Sequence, residues 1–439
     1  MSAISLPEIP LGTDFEEFIC AHLQGAGLYT DRSIIDRGKA EILELDIITT
    51  DYQKDAAPAL KLLEVKSAGW GFAEVFKVKG WMTYLKIDNA AFVVMEKKEQ
   101  MDYYVAKARE LGISLILVED VAQAQAILSE NFGVPEVKTT VRDIWRYSYL
   151  AERKLIGLLK QRKKAMPQFK CYKALDDYLF AVNSRTFFSR NILRRVQTLY
   201  SEFQKTPNVS AKCIHELAGE AFEEDYDLVP EPAFKQAYYT CEFNELAITT
   251  FVEHRARLSI LKGAVDYILH KRAGNAEIAD QVTRWDIFGT TIEWSLLDVL
   301  PKTFREGVLS IADDPYFHRY PVFWQWFMWF FGGFILKDCK DNEFELMSQM
   351  TGIPIEEIPR ALAAYDKVFP MGGGWFFDLG DRSHIEVLRL FPVPFFGIGA
   401  NARRILYGVE KYDQLPVKGQ YTIRDLGKWN NVALAVLTL

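Results

Sequence analysis

An α/β domain over residues 1–135, followed by a large and mainly α-helical domain over 136–439, is the fold class this chain predicts. Three observations lead there. Helix and strand signals alternate up to about residue 130, a Gly- and Pro-bearing break (GVPEVKTT) falls at 133–140, and long segments beyond it keep helical periodicity with few strand-like runs. At 439 residues the chain also exceeds what one core usually organises.

The elements follow in order. Thr13 or Asp14 can N-cap a helix whose apolar residues Phe15, Phe18, Ile19 and Leu23 recur at helical spacing and which ends near Gly25 and Gly27. Strands are predicted at about 28–35, 42–50 (ILELDIITT) and 60–66 (LKLLEVK). A helix over about 73–87 leads to a short strand, AAFVVM, at 90–95. Another helix at about 99–111, the strand GISLILV at 112–118 and an Ala-rich helix to about 130 complete the domain. The order αβββαβ, then αβα, predicts a mixed sheet. Farther on, Asp143–Lys164, Ala174–Gln204 and Phe234–Lys271 read as helices.

With 49% apolar and 25% charged residues, the composition is that of a globular protein in water. Glu8, Asp14, Glu16 and Glu17 precede any apolar run, so no signal peptide is expected. Cys20, Cys171, Cys213, Cys241 and Cys339 are odd in number and lack CxxC spacing, which suits reduced thiols in a cytoplasmic protein better than a zinc site. A net charge of −7 argues against indiscriminate coating of nucleic acid. The segment Arg142–Lys205, however, has 15 Lys/Arg against 5 Asp/Glu, a local +10 that leaves −17 elsewhere. A polyanion contact confined to one place fits that asymmetry.

Two carboxylates stand out. Asp46 lies inside LELDIITT and Glu64 inside LKLLEVK, both runs that otherwise read as buried strands. An ionised carboxylate is costly to desolvate there unless something cationic meets it. Strand alternation puts Glu64 and Lys66 on one face. Pairing the two strands as a hairpin with its midpoint at Asp55 sets Thr50 opposite Leu60 and Asp46 opposite Glu64. Cross-strand neighbours lie about 5 Å apart, close enough for two acids to share a divalent ion. Oxygen ligands without a nearby His or Cys select Mg²⁺ or Mn²⁺.

Asp46, a loop, then Glu64-Val65-Lys66 resembles the PD-(D/E)xK signature of restriction-endonuclease-like nucleases, whose common core is αβββαβ. The opening FEEFICAHLQGAGL is similar to the first helix of Mrr-like restriction enzymes and archaeal Holliday-junction resolvases, with Glu16 at the acidic position. The resemblance covers about residues 13–118. Leu45 replaces the proline of the signature, and Gly80 stands where the exonuclease branch has a Gln four residues before Tyr84, which points to an endonuclease. The resemblance implies in-line phosphodiester hydrolysis. Asp46, Glu64 and the Val65 carbonyl would hold Mg²⁺, and Lys66 would orient the attacking water or stabilise the developing oxyanion. Glu16 would bind a second ion or a water on the first, and either it or Glu17 is only helix-dipole decoration. Lys77 and Lys79 would touch the DNA backbone.

In the helical remainder, RKLIGLLKQRKK (153–164) offers Arg153, Lys154, Lys163 and Lys164 as phosphate contacts among Trp145, Tyr147, Tyr149, Phe187 and Phe188; a solvated helical face with core aromatics is the equal alternative. PVFWQWFMWFFGGFIL (321–336) is short for a membrane span and reads as a buried helix or a partner or oligomer interface. GIGANA (397–402) fits GxGxxG/A formally but follows prolines rather than a strand, and GGG (372–374) reads as a loop. No P-loop, paired histidines or nucleophile elbow occurs. Three functions remain open: a Mg²⁺-dependent DNA endonuclease of the restriction or anti-phage kind, a nuclease-fold scaffold docking a partner such as an ATPase, and a junction resolvase.

Overall fold

The computed structural model describes residues 6–37, 41–180, 216, 243–274, 283–287, 290–294, 302–336, 339–368, 385–387, 393–414, 416–418 and 421–422. Two compact units result. One is Ser5–Arg146, and the other is Tyr147–Leu439 with the first four residues. The division falls within a long helix, so the first unit takes in helical turns beyond residue 135.

The first unit is built on a five-stranded sheet in sequential order. Its elements are α1 (Thr13–Gly25), β1 (Tyr29–Arg37), β2 (Glu41–Asp51), β3 (Ala59–Lys66), α2 (Ala73–Leu85), β4 (Asn89–Val94), α3 (Met101–Glu110), β5 (Ile113–Leu117), α4 (Ala124–Phe132) and α5 (Thr139–Ala165). β1 and β3 each run antiparallel to β2, whereas β3, β4 and β5 run parallel. Only short stretches of chain separate the first three strands; a helical crossover precedes each later strand, the connection that parallel pairing requires. β4 is buried at every residue from Ala90 to Val94, which demands cover on both faces. α1 packs across β1, β2 and β3 and touches α4, while α2 packs on β4 and α3 on β5.

α1 departs from expectation at its start. Gly12, not Thr13 or Asp14, is the N-cap; at φ 54° it takes a left-handed conformation that glycine enters without strain. Its N–H donates to Ser67 Oγ at 2.9 Å, which ties the beginning of α1 to the chain just beyond β3. The β2–β3 loop carries Asp55 at φ 59°, a left-handed position that Asp tolerates through its short polar side chain. Thr50 pairs with Leu60 and Ile47 with Leu63, the register that a midpoint at Asp55 demands.

The second unit is mainly helical. It contains α5 from Tyr147 onward, helices Lys170–Phe180, Phe243–Arg272, Lys302–Ala312, Lys340–Thr351, Ile358–Val368 and Val393–Tyr407, and shorter helical turns. Three small antiparallel pairings, which the sequence did not announce, accompany them: 283–287 with 290–294, 334–336 with 385–387, and 416–418 with 421–422. The apolar run at 321–336 is a buried helix in its first part only. Tyr320–Gln325 is α-helical, Trp326–Phe330 is a π-turn, and Gly332 and Gly333, at φ 71° and 76°, reverse the chain into a strand. No described helix is long and apolar enough to cross a membrane.

GIGANA lies inside the helix Val393–Tyr407. A Cβ on Gly399 would stand 2.3 Å from the Phe331 carbonyl oxygen, so this glycine serves close packing. One turn later Arg403 reaches Glu343 with Nε–Oε1 at 2.7 Å and Nη2–Oε2 at 2.9 Å, both side chains being fully buried. Leu336 N and the Tyr407 hydroxyl also donate to Glu343, and Arg403 donates to the Phe331 carbonyl. Cys20, Cys171 and Cys339 are buried and belong to no disulfide; Cys213, Cys241 and the GGG at 372–374 lie outside the described residues.

Candidate active site

β2 and β3 stop pairing as a ladder at Ile47 and Leu63. Beyond that point Asp46 takes over: its Oδ2 accepts the Val65 N–H at 2.9 Å, a side chain standing in for a backbone carbonyl. The carboxylate is thereby fixed beside the end of β3, where Glu64 and Lys66 share a face. Lys66 Nζ lies 2.9 Å from Glu64 Oε1 and 3.7 Å from Asp46 Oδ2. A second ammonium arrives from α2, with Lys77 Nζ 3.1 Å from the same Oε1 and 3.3 Å from Glu74. Glu64 Oε2, by contrast, is buried and has no hydrogen-bond partner.

The electrostatics follow from this crowding. Burial pushes the Asp46 carboxyl up to about 7, and the Glu64 and Glu16 carboxylates push the same way against Lys66 and the Val65 N–H. Glu16 is raised too, first by burial and then by Glu44 and Glu64, with Lys66 and Arg32 opposing. For Lys66 burial acts to lower the pKa, but Asp46, Glu64 and Glu16 together outweigh it, so its proton is held more tightly than usual. Lys66 thus touches two acids, Asp46 and Glu64, and feels the charge of a third, Glu16.

The two acids at the start of α1 now have different places. Glu17 is buried and forms an ion pair with Arg32 of β1 at 3.3 Å, a structural role. Glu16 feels the charges of Lys66 and Glu64 and acts in turn on Asp46. It is nevertheless not assembled with them into one ligand set, because among the described residues no three His, Cys, Asp or Glu side chains are gathered closely enough to hold a metal ion.

The donors this chain would offer a metal are Asp46, Glu64 and, as the resemblance implies, the Val65 carbonyl. That set suits a hard cation of the Mg²⁺ kind, which takes one or two carboxylates and keeps several waters. The buried, unpartnered Glu64 Oε2 is the observation that fits such an ion.

The expected nucleic-acid contacts fall into two groups. Lys77 is partly exposed and engaged with Glu64 and Glu74, and Lys79 is half-buried on α2. Arg153, Lys154, Lys163 and Lys164 belong to the second unit, where Lys163 pairs with Asp176 at 2.6 Å. Trp145 and Tyr149 are core residues, which favours the structural reading for those two, and Phe187 and Phe188 lie outside the described residues. The Lys77–Glu64 contact escaped the sequence reading because only the β3–α2–β4 crossover brings the two together. Comparison with family models, curated proteins and solved structures finds no match to this chain.

Proposed function

We propose that the first unit is a Mg²⁺-dependent nuclease that hydrolyses phosphodiester bonds of DNA, acting as an endonuclease. The single observation that carries this reading is the convergence of Asp46 and Glu64 on Lys66 with one buried carboxylate oxygen left over. The likeness of Asp46…Glu64-Val65-Lys66 to the PD-(D/E)xK signature, together with the αβββαβ order, supports it.

In-line hydrolysis forms a bond from a water oxygen to phosphorus as the bond to the leaving alkoxide breaks. When bound, Mg²⁺ would offset charge on the phosphate and make water more acidic. Lys66 is charged throughout the neutral range and has Glu64 as its anchor, so it can donate a hydrogen bond to the attacking water or to a phosphoryl oxygen. The Val65 N–H fixes the rotamer of Asp46, which keeps that carboxylate aimed at the same point. Glu64, with one oxygen held by lysines and one unclaimed, can exchange a lysine for another cation at little structural cost.

One observation favours a second reading, in which the site is silent and the chain serves as a scaffold. Lys66 and Lys77 already neutralise Glu64 without any ion. The two readings separate on cleavage of supercoiled plasmid by the full chain, with Mg²⁺ or Mn²⁺ against EDTA. Divalent-dependent nicking should fall on the order of 100-fold or more in Asp46→Ala and in Lys66→Met, the scale of losing one charge-stabilising group. Equal cleavage by wild type and Asp46→Ala, or none by wild type, rejects the nuclease. A four-way junction beside the plasmid tests for a resolvase.

A further inference from the structure

The outward side of α2 carries more aromatic surface than packing requires. Val75, Val78 and Met82 already supply its buried face, yet Phe76 is 59% exposed and Trp81 half-exposed on the other. Phe76 opens a continuous row. Its ring meets Phe72 edge-on at 5.5 Å, Phe72 stacks on Tyr104 of α3 at 5.4 Å, and Tyr104 touches Tyr103 at 6.1 Å. Trp70 roots the row by contacting both Tyr104 and the buried Phe92 of β4. The far end, Tyr103, is again 58% exposed.

Ammonium groups accompany the rings. Lys77 lies 4.4 Å from the Trp81 ring, Lys98 5.8 Å from Trp70 and Lys107 5.9 Å from Tyr103. Lys77, which follows Phe76 in the sequence, is also the lysine that touches Glu64.

We propose that this row is a stacking track for an unpaired nucleic-acid strand, which makes single-stranded or splayed substrates the preferred class. The inference rests on the nuclease reading for its purpose, though not for its binding test. Bases in a duplex stack on one another and offer no free face to a side chain, whereas an unpaired base gains by stacking on an exposed ring. The flanking lysines suit a phosphate chain, but each is also paired with a glutamate: Lys77 with Glu74, Lys98 with Glu96 and Lys107 with Glu110. A phosphate would exchange for a carboxylate, so few net charges are neutralised on binding. Affinity then comes chiefly from stacking and depends only weakly on salt.

The test measures binding of the full chain to fluorescein-labelled single-stranded DNA, single-stranded RNA and duplex DNA of about 20 nucleotides, longer than the roughly 4–16 that one stacking platform occupies. Anisotropy is read in EDTA, where nothing is hydrolysed. Wild type should bind at least one single strand more tightly than the duplex, with the DNA and RNA arms showing which sugar is preferred. Phe76→Ala should weaken single-strand binding roughly tenfold, the scale of one lost base–ring stack, while Phe76→Tyr restores it and duplex binding stays put. Phe76 is exposed, so its truncation does not threaten the core. Equal single-strand binding by wild type and Phe76→Ala overturns the track. So does a change of sedimentation coefficient in Phe76→Ala with nucleic-acid binding unaltered, which would assign the row to a second copy of this chain. Failure of the track leaves Asp46-dependent plasmid cleavage intact; failure of the nuclease leaves Phe76-dependent binding without cleavage.

Discussion

Asp46→Asn should make the metal-free protein more stable at pH 8 while abolishing metal-dependent cleavage. An Asp carboxyl moved from 3.8 to about 7 means that ionised Asp46 is disfavoured in the folded chain by roughly 4 kcal/mol, at about 1.4 kcal/mol per pH unit. The sign follows from proton counting. Between those two values the unfolded chain has released the proton and the folded chain retains it, so stability falls as pH rises; above about 7 the whole loss is in place. Asparagine carries no charge to desolvate, and its Oδ1 can still accept the Val65 N–H. A gain on the order of 2–4 kcal/mol at pH 8 is expected, less at about pH 5, where folded Asp46 is already protonated. The local reporter is hydrogen exchange of the β3 peptide containing Val65, compared between wild type and variant at each pH. Protection in the Asp46→Asn variant should rise about 30- to 1000-fold at pH 8. Adding Mg²⁺ should narrow or reverse the gap, since an ion that binds only wild type stabilises only wild type. Equal protection at pH 8, or a larger effect at the lower pH, would show that Asp46 is not held under the strain described.

Two further expectations concern packing. In Gly25→Ala the new Cβ would meet Val137 Cγ1 at 2.6 Å, so the first unit should lose about 1–3 kcal/mol in urea melts, and Val137→Ala in the same chain should recover most of it. Non-interacting behaviour of the pair would mean that the clash is absorbed elsewhere. Glu343→Gln strands the buried Arg403 charge and should cost the second unit about 3–5 kcal/mol, read as a lowered thermal midpoint, whereas a change below about 1 kcal/mol would show that water reaches the pair.

The first unit was legible because its signals are local. Apolar runs bounded by turn residues located every strand of the sheet to within a few residues, and the hairpin midpoint at Asp55 fixed the register of β2 on β3. What escaped depends on partners distant in sequence. Glu16 and Glu17 are chemically alike at the start of α1, and the choice between them is made by Arg32, which only the sheet brings beside Glu17. The N-cap falls at Gly12, whose N–H is held by Ser67, 55 residues away. In the second unit, strands of two to five residues are too short for alternation to reveal. The aromatic run at 321–336 read as one buried helix because hydrophobicity reports burial and not the left-handed turn at Gly332 and Gly333.

Two of the buried glutamates among the described residues, Glu64 and Glu343, have cationic partners of different kinds, and the difference bears on which site is poised for chemistry. Glu343 meets a guanidinium whose planar fork engages both oxygens, and a backbone N–H and a hydroxyl complete its shell. Every acceptor there is used, and the fork geometry makes exchange expensive. Glu64 has two ammonium groups competing for one oxygen and none on the other. An ammonium is a point charge on a flexible stem, so it can leave for a phosphate without rebuilding the site. Nearby, Asp46 ionises only against its surroundings, so the cluster as a whole would gain from one more positive charge. A carboxylate whose shell is complete holds a fold together; one whose shell is half-finished, next to a second acid forced toward neutrality, is arranged to receive a cation. That asymmetry, rather than burial or charge alone, directs the functional reading to the end of β3.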